Sequence, residues 1–268
     1  WVASSSLYPM AFDEDFHLGM IRLYAEHWGP FSLTQKEEAN VFGSVATDPS
    51  YLYHYLMSFP YRALDGLGAG ETTTVVTLRL MNVAMFAWAL WLYRKLLLRI
   101  KVGPAVTNTV LALFVLIPVV SLLAGQINYD NLLLVIVAGS MLFAATIYQA
   151  LQTKQPLPMK PLLYLVLLLL FGTVVKYAFL PIAAGVAAFV LYHVWRRAKV
   201  DKKLLKHAWT DTRQLGTATK ILVGLGFVVL LVLAGQRYGT NLVKYQDPVP
   251  DCGAVLTVEQ CMPYGPWG

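Results

Sequence analysis

The chain has 268 residues, 57% of them hydrophobic and 13% charged, with a formal net charge of +6. That charged share is about half of what a soluble domain carries, too little to cover a water-facing exterior. The basic residues fall in short loops between apolar runs, not along one face or among stacking aromatics, which excludes a nucleic-acid footprint and reads as membrane topology.

Residues 1–71 hold nine of the 15 acidic residues and contain no run apolar enough to cross about 30 Å of hydrocarbon. The chain opens at Trp1 without a charged leader or signal-like apolar run and closes on "PYGPWG", which reads as a piece of a longer or processed chain. Apolar positions at Phe16, Met20, Ile21, Leu23 and Tyr24 recur near the helical period, and Trp28 suits a headgroup layer, so an interfacial helix is expected over 15–28. A second local helix is announced by "TDPSYLYHYLMSF", with Asp48 as cap and Pro49 in the first turn, running to about Pro60.

Apolar spans are expected at 72–93, 103–125, 131–148, 161–175, 177–195 and 219–235. Of the 21 Lys and Arg, 14 lie in or beside the loops after the first, third and fifth of these, "RKLLLRIK", "QTKQPLPMK" and "RRAKVDKKLLKHAWTDTR". By the charge-bias rule these loops are cytoplasmic and residues 1–71 lie on the opposite side. Residues 161–195 would form a single helix of about 50 Å, too long for one crossing, so two short passes with a turn near "VVKYAFLP" are expected. In the closing segment, 236–268, Cys252 and Cys261 face outward in this topology. A local disulfide is the expectation, with zinc the weaker alternative for want of further ligands.

The knot Asp13-Glu14-Asp15 admits two readings. One is a solvated helix cap; the other is a general base just above the membrane, with its neighbours orienting it or Asp13 and Asp15 holding a divalent cation. His17, four residues on, is a hydrogen-bonding or substrate-contact candidate sooner than a metal ligand, and His54 is expected in an aromatic cluster with Tyr51, Tyr53 and Tyr55. Asp130 in "GQINYDNLLL" either caps a helix or serves chemistry at the outer mouth of a span, where an acid is costly unless paired or functional. Lys176, interrupting a long apolar run, either snorkels or binds a lipid-linked phosphate. Arg79 should face the bundle and pair with an acid or carbonyl, while Arg62 and Arg237 lie near the outer surface as further phosphate-binding candidates.

Taken in order, "DE" at 13–14, "DPSYLYHYL" at 48–56, "NYDNLLL" and "GTVVKYAFLP" at 172–181 resemble the polyprenyl-phosphate-sugar-dependent glycosyltransferases of the GT-C fold. Ser50 stands where the family pattern carries a second Pro, and the transmembrane helix that normally precedes the acidic loop is absent. The resemblance implies an all-α polytopic GT-C-like bundle whose outward first loop carries interfacial helices. It implies an inverting transferase in the plasma (inner) membrane. A sugar on polyprenyl phosphate would pass to a hydroxyl of a glycan, lipid or protein acceptor on the extracytoplasmic side.

In that picture Asp13 is the general base, Glu14 and Asp130 support it, Lys176 with Arg62, His17 and Arg237 contacts the substrate, and a divalent cation is an optional cofactor. A small-solute transporter or a non-catalytic assembly subunit is the alternative.

Overall fold

Every regular element is helical in the computed structural model, which describes residues 1–10, 13–202 and 204–264, and no strand occurs among the described residues. Lys203 of the third basic loop and residues 265–268 of the closing segment lie outside that description. A short helix α1 (Val2–Ser5) precedes α2 (Glu14–Ala25), which buries Met20, Ile21 and Tyr24 of the expected set together with Leu18, while Phe16 and Leu23 are only half-buried.

The second local helix, α3 (Leu52–Gly66), differs from the expectation at both ends. Asp48 does not cap it; its carboxylate accepts the Ser50 amide at 2.8 Å and shapes a turn before the helix, whose N-cap position is Tyr51. Nor does it stop at Pro60, which sits inside it. The ring removes one backbone hydrogen bond, but Arg62, two residues later, donates to the Tyr24, Ala25 and His27 carbonyls at the end of α2 and ties the second half of α3 down.

The apolar elements follow as α4 (Glu71–Arg99), α5 (Pro104–Leu116), α6 (Pro118–Ala124), α7 (Tyr129–Gln152), α8 (Met159–Val175) and α9 (Leu180–Val200). After α10 (Leu204–Gln214) comes α11 (Thr217–Ala234), which runs through a π-helical turn, Gly235–Gly239, into α12 (Thr240–Tyr245). Four of the described stretches are long and apolar enough to cross a membrane: Glu71–Arg99, Tyr129–Gln152, Tyr177–Val200 and Thr217–Tyr245. The span expected at 103–125 is instead a pair of helices bent by 79°, and α8 is a shorter apolar helix of 17 residues. The bend lies at Pro118, whose ring disfavours helical geometry in the preceding residue; Ile117 is extended, with ψ 118°.

The expected turn near residue 176 is present: α8 ends at Val175, Lys176 is extended, and the chain turns through Tyr177–Phe179 into α9. Gly172 permits it, because a Cβ there would stand 2.4 Å from the Phe179 ring that folds back onto α8. Helix α7 is the centre of the bundle, packed against α4, α8 and α9, with α11 lying against α8. Large apolar side chains such as Leu113, Leu191, Leu225 and Val228 remain exposed on α5, α9 and α11, the surface a lipid environment would cover.

The described residues of 1–70 form a cap over one end of these helices, completed by α13 (Cys252–Val255) and α14 (Val258–Cys261), which a Cys252–Cys261 disulfide joins. Helix α14 packs on the short 3-10 helix Glu37–Phe42.

Candidate functional site

Helix α7 begins with Asn128, whose side chain accepts the Asp130 amide at 2.8 Å, and Asp130 in the first turn suits the positive helix end. The α8–α9 turn brings Lys176 beside it. Its Nζ lies 2.8 Å from Asp130 Oδ1 and 4.3 Å from the centre of the Tyr129 ring. The pair is only partly buried, with 24% of the Lys176 side chain and 42% of the Asp130 side chain exposed, so it remains open to an incoming charge. The turn is anchored to the cap by the Tyr177 amide, which donates to Ser50 Oγ at 3.0 Å.

The charges of Asp130, Asp48 and Asp13 act on the Tyr129 hydroxyl, and those of Asp48 and Asp13 also on Tyr264. Asp13 is exposed and occupies the N-cap position of α2 without a side-chain hydrogen bond to the helix. Asp15 is exposed and accepts the Tyr8 hydroxyl at 2.5 Å. Among the described residues no cluster of three or more His, Cys, Asp or Glu is arranged to hold a metal.

Asp48, which the sequence reading treated only as a cap, is the acid it missed. Loss of water around it pushes its carboxyl above the ordinary range, against the opposing pull of the Ser50 hydrogen bonds and the Arg237 charge. Nothing local in "TDPSY" distinguishes such an acid from a turn former.

Beneath these groups lies a buried imidazole pair. His17 Nδ1 and His54 Nε2 are 2.9 Å apart, and Phe16, Tyr53 and Tyr129 pack around them. Burial lowers both pKa values, His54 to about 3, and the charges of His54 and then Lys176 depress His17 further. His54 therefore joins an aromatic cluster, as expected, but its ring neighbours are Phe16, His17, Tyr53 and Tyr129. His17 is fully enclosed and reaches the open site only through Tyr129.

The remaining candidates lie apart from Lys176. Glu14 is buried and paired with Arg79: its oxygens accept Arg79 Nε at 2.8 Å and Nη2 at 2.7 Å, and also the Met10 and Ile127 amides at 2.8 and 3.1 Å. Arg79 in turn holds the Ala3, Ser6 and Leu7 carbonyls, so it pairs with an acid and with carbonyls together. Glu14 thus pins α2, α4 and the approach to α7 to one another.

Arg62 clamps the end of α2 and lies over Trp28, 4.5 Å from its ring centre. Arg237 donates to the Ala46 and Pro30 carbonyls between Phe31 and Tyr51.

Asp130 also lines a groove of about 390 Å³ whose walls are otherwise mainly apolar, among them Phe86, Phe114, Leu123, Leu134 and Ile182. It is the one charged residue on that wall among the described residues. Through Asp130 the ion pair borders this groove, although Lys176 itself does not line it. No family model, no curated protein and no solved structure matches this chain.

Proposed function

We propose that the chain is the core of a membrane-embedded glycosyltransferase that uses a polyprenyl-phosphate-linked sugar. The observation that carries the reading is the Lys176–Asp130 pair, whose acid lines an apolar groove, together with the exposed carboxylate of Asp13, whose charge acts on the neighbouring Tyr129. An isoprenoid chain is fully apolar and its phosphate is an anion; a groove of hydrocarbon side chains whose one acid holds an ammonium offers a partner to each part.

The donor phosphate would accept hydrogen bonds from Lys176 Nζ, drawing it from Asp130. Asp13 would take the proton of the acceptor hydroxyl as that oxygen attacks the anomeric carbon from the face opposite the phosphate. The new carbon–oxygen bond forms, the bond from the anomeric carbon to the phosphate oxygen breaks, and polyprenyl phosphate leaves with its added charge stabilised by Lys176. The configuration at the anomeric carbon inverts. Glu14 supports the site through the scaffold, and Asp48 with Asp130 surrounds the Tyr129 hydroxyl where the sugar would lie.

Charge bias supports a cytoplasmic position for the three basic loops and, on this reading, an outer-side position for the site, with the plasma (inner) membrane as its setting. The rival small-solute transporter would need charged groups lining a path through the bundle, yet Arg79 and Glu14, its most deeply buried ions, are saturated by each other and by backbone.

The test is transfer of radiolabelled sugar from polyprenyl phosphate to candidate acceptors by the purified chain in nanodiscs. Asp13→Asn and Lys176→Gln should each lower transfer at least a hundredfold while thermal unfolding stays unchanged. Transfer at the parental rate in both variants, or solute flux through liposomes that neither variant alters, would refute the reading.

A further inference from the structure

The end of the helices opposite the cap, where the three basic loops lie, repeats one arrangement on three helices. Near the end of α4, Lys95 Nζ lies 3.5 Å from the centre of the Trp91 ring, and near the end of α9, Lys199 Nζ lies 3.6 Å from that of Trp195. Arg196 lies over Tyr192 at 5.7 Å, and Lys160 at the start of α8 over Tyr164 at 5.8 Å. Residues four apart share a helix face, so each contact is local. The order of ring and cation along the chain is not. Helices α4 and α9 run from the cap to the basic end and carry the ring first; α8 runs the other way and carries the cation first. In every pair the ring therefore lies toward the middle of the bundle and the cation one turn nearer its end. A bilayer imposes that order, because an amphipathic ring sits at headgroup level and an ammonium reaches past it to the polar side.

The two closest pairs stand apart from other cations of this end. Arg94 Nε donates to Asn108 Oδ1 at 3.1 Å, Arg99 Nε to Gln149 Oε1 at 3.0 Å, and Arg197 pairs with Asp201 at 3.3 Å. Lys95 and Lys199 are exposed, and among the described residues neither meets an acid or donates a hydrogen bond. A ring face attracts an ammonium without consuming its N–H groups, so these donors are still available to an anion. The rings are open as well, Trp91 being 50% and Trp195 54% exposed. One turn deeper on the same faces, Trp88 and Leu191 are exposed at 55% and 67%. Each helix thus presents a cation, an indole and an apolar side chain in sequence from the basic end inward.

We propose that Trp91–Lys95 and Trp195–Lys199 each bind one anionic phospholipid. The ammonium would meet the headgroup phosphate, the indole the glycerol region, and Trp88 or Leu191 the acyl chains. Charge complementarity favours the anionic lipid: a zwitterionic headgroup carries its own cation beside the phosphate, which competes with the lysine. The sites are remote from Asp130 and Lys176 and do not rest on the transferase reading.

The experiment is native mass spectrometry of the purified full chain in detergent, titrated with phosphatidylglycerol or with phosphatidylcholine of identical acyl chains. Phosphatidylglycerol should fill two sites about tenfold more tightly than phosphatidylcholine. Lys95→Gln/Lys199→Gln should bring the two lipids to within about twofold of each other. Lys101→Gln/Lys154→Gln, which removes the same charge from exposed loop positions of the same end, should leave the preference intact. Both double variants should unfold at the parental temperature in lipid-free detergent, since all four side chains are exposed. Equal binding of the two lipids by the parent chain would overturn the proposal. So would an equal loss of preference in the two double variants, the result that diffuse surface charge predicts.

Discussion

Three neighbouring acids at 13–15 have three different fates, and the difference is one of rotation about a helix. Successive residues turn by about 100°, so Glu14 points inward to Arg79 while Asp13 and Asp15 remain exposed. Glu14→Gln should cost about 3–5 kcal/mol, because it strands a buried guanidinium, whereas Asp13→Asn should stay within about 0.5 kcal/mol. Thermal and denaturant unfolding of the two variants in detergent measures the contrast.

The imidazole pair makes a second prediction at this scale. In an unfolded chain His takes up a proton near pH 6.5, but in the fold His54 does so only near pH 3, and His17 well below the ordinary value. Between those limits the unfolded state binds more protons, so stability falls as pH drops from about 7 toward 4, by at most about 1.4 kcal/mol per pH unit per imidazole. Above pH 7 this contribution is constant. Asp48, with its raised pKa, works in the opposite direction at the acid end. Unfolding curves across this range should lose most of their acid slope in His17→Phe/His54→Phe.

Among the elements, the α8–α9 turn decides whether Lys176 meets Asp130. The residue pattern announced a break in the apolar run there, since Lys176 and Pro181 are both poor choices for the middle of a span. What the pattern did not contain is the contact that shapes it, the Phe179 ring seated on Gly172. Gly172→Ala should displace that ring, cost about 1–3 kcal/mol by overpacking, and lower the proposed transfer activity more than Gly139→Ala. At Gly139 the added methyl would meet only the flexible end of Leu168, at 2.9 Å. Paired measurements of unfolding temperature and turnover separate the two.

Ser50 belongs to the same lesson: its hydroxyl accepts the Tyr177 amide and joins the cap to this turn. The helix boundaries misjudged from sequence, at Asp48, Pro60 and Pro118, all involve proline or its neighbours. A local side-chain turn resolved the ambiguity at Asp48, the long-range contacts of Arg62 did so beyond Pro60, and a bend did so at Pro118.

At the scale of the whole molecule the polar cap and the basic loops occupy opposite ends of the helices. Lys176 and Asp130 join helix ends at the cap, while Arg99 Nε donates to Gln149 Oε1 at 3.0 Å where α4 and α7 finish. The proposed outward orientation predicts that Ser5→Cys reacts with a membrane-impermeant maleimide on intact cells and Lys160→Cys only after permeabilisation. Both positions are exposed, and the native cysteines are occupied in their disulfide. The reverse labelling pattern would turn the orientation over.

Composition and periodicity alone were enough to establish a helical chain with membrane-length apolar stretches and a segregated basic end, because hydrophobicity, charge and helical phase are local properties of a run of residues. The paired cysteines and the break near Lys176 were legible for the same reason. The structure alone decided that Glu14 is a buried strut, held by Arg79 and Ile127 from 65 and 113 residues away, and that Lys176 meets Asp130 and the Tyr129 ring. Such meetings depend on how helices rotate and pack against one another, and no short stretch of sequence carries that information.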